Sequence, residues 1–119
     1  MKTSELTGSA LDWAVAKADE NLYPSGEVRL MDGGVITISA GGHEKTDHWS
    51  RYSPSTDWAI GGPIIEREEI AIGFDPKEGW IGMDMDGNYF MGATPLEAAM
   101  RCYAISKLGK EIEIPKELA

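Results

Sequence analysis

The first apolar positions in this chain recur with a helical period. Leu11, Ala14, Val15 and Ala18 fall at i, i+3, i+4 and i+7, one core-facing stripe. Thr7 stands where an N-cap is wanted, so a helix is predicted over 8–19. At 100° per residue Trp13 lies roughly 150° from the centre of that stripe, one turn below Lys17. A tryptophan on the polar face needs a partner of its own, and a segment folding back over it would supply one.

The period then changes. Tyr23-Pro24-Ser25-Gly26 ends the first unit. Val28–Met31 and Val35–Ala40, joined by Asp32-Gly33-Gly34, read as two strands of a hairpin. Ile70–Phe74, Trp80–Met85 and Asn88–Met91, separated by Asp75–Gly79 and Asp86-Gly87, read as an antiparallel meander. Next comes Thr94-Pro95-Leu96-Glu97, with threonine at an N-cap, proline at the first helical position and glutamate at the third. That capping box predicts a helix from Pro95 to about Leu108, stopped by Gly109. Leu96, Ala99, Met100, Tyr103 and Ala104 form one apolar face of it, and Ala98, Cys102 and Ile105 a second nearly opposite. Such a helix is sandwiched, either within the fold or against a second copy in a homodimer through 95–108. Ile112 and Ile114 alternate with Glu111 and Glu113 as a final edge strand ended by Pro115.

Between these units lies RYSPSTDWAIGGPIIERE, residues 51–68, which shows no regular period. Its rings and Ile64-Ile65 give it apolar surface to bury, so it is read as a long ordered loop. The predicted fold is a single α+β domain. An antiparallel sheet of about five to six strands is flanked by two main helices, with the loop over one end or edge.

Composition narrows the function classes. Twenty acids against 11 bases give a net charge of -9, which disfavours nucleic acid and anionic membranes as partners. The lone Cys102 suits a reducing compartment. The opening MKTSELTGSA lacks the apolar run of a signal peptide, and no stretch has the ~18 apolar residues of a span. A cytoplasmic location is expected.

Three stretches carry a family likeness: SELTGSALDWAVAKA, YSPSTDWAIGGPIIERE and ATPLEAAMRCYAISKLG. Together they resemble the NinX-like family of lambdoid phages and enterobacterial prophages. The likeness covers most of the chain and is least distinct over 24–48 and 75–92. The late helix with its preceding strands also resembles phage proteins called ABA-sandwich domains. The NinX-like family is a domain of unknown function, so the likeness implies a phage or prophage protein acting in a bacterial cytoplasm and implies no activity.

The chemistry of 51–68 suits a small anionic or nucleotide-like ligand. Gly61-Gly62 before Pro63 allows close backbone approach and an anion-binding nest. Arg51 and Arg67 bracket the segment and offer bidentate contacts. Tyr52 and Trp58 offer stacking surfaces, and Ser55 and Asp57 offer polar contacts to a base edge or ribose. The bland alternative makes Trp58 and Ile64-Ile65 core plugs, the Ser53-Pro54-Ser55 and glycine stretches turns, and Arg67 the partner of a nearby acid.

Other chemistry is weaker. Ser53, Ser55, Asp57 and His48 crowd together in sequence, but no G-x-S-x-G elbow is present and Cys102 sits mid-helix on an apolar face. Asp84–Asn88 opens like a calcium loop, yet Tyr89 and Pro95 stand where that loop needs glycine and glutamate. His43 and His48 match no strong zinc spacing. The expectation is a non-enzymatic binder without metal or cofactor. The second reading is an acidic interaction module for a host protein, using carboxylates such as Glu66, Glu68 and Glu69. A small enzyme is the third.

Overall fold

The computed structural model describes residues 1–19, 28–31, 34–38 and 49–118. The fold is α+β, and the described residues form α1 (Gly8–Ala18), β1 (Val28–Met31), β2 (Gly34–Ile38), β3 (Trp49–Arg51), α2 (Trp58–Glu68), β4 (Ala71–Asp75), β5 (Gly79–Met83), β6 (Tyr89–Gly92) and α3 (Pro95–Leu108), in that order. Among the described residues the strands do not form one sheet of five to six. They divide into two three-stranded antiparallel sheets, β1-β2-β3 and β4-β5-β6. A meander pattern fixes neighbours within each group but carries no signal for pairing between groups. The expected histidine-bearing approach at 43–48 and the end of the second predicted strand at 39–40 lie outside the described residues.

The late helix is the organising element. Thr94 Oγ1 accepts the Glu97 amide at 3.0 Å, and Glu97 Oε1 accepts the Ala93 amide at 2.8 Å. Gly109, at φ 89°, ends the helix and donates its amide to the Ile105 carbonyl. Both apolar faces are buried within one chain. Ala99, Met100, Tyr103 and Ala104 join Leu6, Leu11, Ala14 and Val15 in the core. The other side lies on β5 and β6, close enough that a Cβ on Gly82 or Gly92 would sit 2.8 or 2.5 Å from Ala98 backbone. Internal burial therefore accounts for the two-sided pattern without a second copy.

α1 is buried nearly all round, including Ala10, Asp12 and Ala16 beyond the predicted stripe. Thr7 has the extended backbone of an N-cap, though its side chain makes no capping bond. Trp13 is half-buried against the core and lies under Lys17, whose Nζ is 5.6 Å from the ring centroid. The predicted edge strand at 112–114 is not a strand. Residue Glu111 makes one isolated bridge to Lys2, and Met1 and Ile112 exchange backbone hydrogen bonds at 3.1 and 3.0 Å. Thr3 is fully buried there and donates its hydroxyl to the Gly109 carbonyl at 2.7 Å, which satisfies a group left open at the end of α3.

The largest correction concerns 51–68. Eleven of its residues form α2. Asp57 caps it, with Oδ1 accepting the Ala59 amide at 2.9 Å, and Ile60 and Ile64 recur at i and i+4 toward the core. Gly61-Gly62-Pro63 reads as a breaker because glycine costs about 1 kcal/mol and proline about 3 in a helix interior. Packing reverses that preference: Gly61 is a contact point, where a Cβ would meet the Pro54 carbonyl at 2.5 Å and Leu96 at 2.7 Å.

Candidate functional site

The segment before α2 is held by a buried carboxylate. Asp12 on α1 is 5% exposed, and its Oδ1 accepts the Ser55 amide at 2.9 Å. Burial raises its pKa, while the Ser55 contacts and the nearby Arg51 charge act in the opposite direction. The Ser55 hydroxyl lies near the same carboxylate but makes no hydrogen bond of its own. The Tyr52 hydroxyl beside this group is also buried without a partner. Burial first, then the negative charge of Asp19, pushes its ionisation far upward.

A second set closes the other side. Arg67 reaches Asp19 Oδ1 at 3.3 Å, Glu68 at 2.8 Å and the Tyr103 hydroxyl at 3.2 Å. Tyr103 in turn donates to the Ala18 carbonyl at 3.4 Å, and its ionisation is pushed up to about 12 by burial and by Asp19. These contacts lock the end of α1 to α2 and α3.

Of the eight residues expected to bind a ligand, Tyr52, Ser55 and Gly61 are buried. Arg51 ends β3 and faces solvent, and Asp57 is occupied as a cap. Trp58 is 53% exposed, so it is not a core plug. Gly62 lies beside open space inside α2, and Arg67 sits nine residues from Trp58, about 13 Å along the helix axis. The proposed nest is absent: the Gly61 amide donates to the Asp57 carbonyl at 2.9 Å as part of the helix.

The raised Asp12 pKa makes a testable statement. An acid whose folded pKa exceeds its unfolded value of 3.8 stabilises the fold fully below that value and loses this contribution as pH rises through the folded pKa. Asp12→Asn keeps an acceptor for the Ser55 amide and removes the buried charge. Its melting temperature should exceed that of the parent at pH 7 and converge with it below pH ~4. A variant less stable at pH 7 would mean that Arg51 over-compensates the burial.

The sequence reading missed a different surface. In the register of β4-β5-β6, Ala71, Met83 and Tyr89 form one row and Gly73, Ile81 and Met91 the next. These point away from α3, because Gly82 and Gly92, in the alternate rows, are the positions α3 covers. Met83, Tyr89 and Met91 are 40–58% exposed. A shallow groove of about 250 Å³ runs along β4, lined by Ala71, Gly73, Ile81 and Met83 among others. The signal was the alternation itself: both faces of this meander are apolar, although one helix can cover only one of them.

Elsewhere, Cys102 is fully buried and burial pushes its thiol up to about 11, which makes it an inert packing group. Asp84 Oδ1 accepts the Asp86 and Asn88 amides at 3.0 Å, so the stretch that opens like a calcium loop is a hydrogen-bonded turn. Among the described residues no group of His, Cys, Asp and Glu is placed to hold a metal, and no helix is long and apolar enough to cross a membrane.

No curated protein matches the chain. The family model for NinX of bacteriophage P22 matches residues 2–107, from the start of the chain to the last turn of α3. With that span matched, the chain belongs to the bacteriophage P22 NinX family.

Proposed function

We propose that this protein is a non-enzymatic phage accessory factor that binds a host protein through the outer face of β4-β5-β6. One observation carries the reading: in the two rows Ala71-Met83-Tyr89 and Gly73-Ile81-Met91 no residue is charged, Met83, Tyr89 and Met91 are exposed, and Ile81 is half-buried. Exposed contiguous apolar patches with polar rims mark interaction surfaces. Methionine and tyrosine are also side chains that interfaces favour. The small-ligand reading of 51–68 has less support, since Asp57 caps α2, Arg67 pairs with Asp19 and Glu68, and Gly61 serves packing.

Capture from host lysate by the parent and by Met83→Thr, Tyr89→Thr and Met91→Thr tests this. Threonine suits a strand and removes the apolar contact, so the fold should persist. The expected result is a discrete partner retained by the parent and by Trp58→Ala, but lost from the three sheet variants. Loss from Trp58→Ala or Arg51→Ala, with the sheet variants unaffected, would return the function to the 51–58 segment.

A further inference from the structure

Among the described residues β4 is an open sheet edge, paired only with β5. At the opposite edge Arg101 donates to the Met91 carbonyl at 2.9 Å and occupies one of its backbone acceptors. Proteins commonly blunt an edge with lysine, proline or a bulge. Ala71-Ile72-Gly73-Phe74-Asp75 has no lysine or proline and runs in continuous register with β5. Its outer face carries the small Ala71 and Gly73, with Asp75 at the end. Ala71 is exposed and a Cβ on Gly73 would meet nothing, so the edge is a trough with Ile81 and Met83 as its far wall. An added strand would lay alternate side chains into that trough.

The charge at the two ends of β4 selects the occupant. Ala71 pairs with Met83, which places Glu69 and the Asp84–Asp86 turn at one end. Asp75 pairs with Gly79, which places Asp75 and Glu78 at the other. Glu69, Glu78 and Asp86 are exposed and enter no ion pair among the described residues. Lys77 is the one base of the two turns. A second copy pairing β4 against β4 would bring these acidic ends together, in a chain of net charge -9. A strand with an apolar-alternating centre and basic ends meets both features.

We propose that β4 is a strand-addition site for an extended partner segment whose alternating apolar centre is flanked by lysine or arginine. This rests on reading the sheet as the interface, and it names how the partner is held.

The test uses the full chain and a synthetic peptide of alternating valine and threonine with two lysines at each end. Binding is followed by calorimetry, and backbone protection by hydrogen exchange. The expected result is binding with new protection over residues 71–75. N-methylation of the peptide amides that face β4 should abolish it. Glutamate flanks should weaken it by about tenfold or more, as should raised salt. Glu69→Lys with Glu78→Lys should reverse the preference between the two peptides. Equal binding of the N-methylated peptide, or no binding by either unmodified peptide, would overturn strand addition. The interface reading would still be decided separately by the sheet threonine variants in host capture. A concentration-dependent dimer that buries 71–75 in both copies would overturn the choice of occupant.

Discussion

Gly92→Ala should lower the unfolding free energy by about 3 kcal/mol, at the upper end of the range for overpacking a close contact. The new methyl would lie 2.5 Å from the Ala98 nitrogen, 2.9 Å from its Cα and 3.0 Å from the Glu97 carbonyl carbon. All three are backbone atoms in the first turns of α3, so no side chain can rotate away. Relief requires the helix to rise from the sheet, and that also loosens its contact with Gly82. Urea unfolding measures the loss directly. Gly73→Ala is the matched control: it sits in the same sheet on the open face, where a Cβ meets nothing, and should stay within ~0.5 kcal/mol. Equal midpoints for the two variants would refute the close approach of helix and sheet.

Leu11→Ala should cost about 2–5 kcal/mol, nearer the upper figure. Leu11 is fully buried in the core shared by α1 and α3. That core is rich in alanine, including Ala10, Ala14, Ala99 and Ala104. Side chains that end at Cβ cannot lean into a vacated volume, so the cavity stays open and the cost of partial relaxation is high. Chemical unfolding again reads the outcome, and a loss under 1 kcal/mol would mean that the two helices close over the gap.

What could be read from the chain followed the strength of local signals. The capping box at Thr94 and the stop at Gly109 predict α3 to the residue, because both ends are specified by bonds between near neighbours. The stripe in α1 and the hairpin turns are local in the same sense. The assignment of 51–68 to a loop failed because Gly61, Gly62 and Pro63 oppose a helix locally, while the burial of Ile64 and the tight seat of Gly61 against Pro54 favour it only after the chain has folded. The Asp57 cap and the Ile60–Ile64 spacing were the legible traces. Placing a site there rested on residue types alone, and tyrosine, serine and arginine build buried polar networks as readily as pockets. Neither Asp12 nor Asp19, which engage Ser55 and Arg67, stands near them in sequence.

The burial of α3 on both sides also bears on how this chain can change over time. Across its fourteen residues only Ser106 and Lys107 are exposed, so almost every substitution alters a packed contact rather than a solvated one. A helix with one free face can drift while its core stripe stays fixed. This one has nearly no neutral positions, and a change on one side must be accommodated by α1 or by the sheet. Variation is therefore channelled to the turns and the outer sheet face, where a substitution meets solvent rather than a packed neighbour.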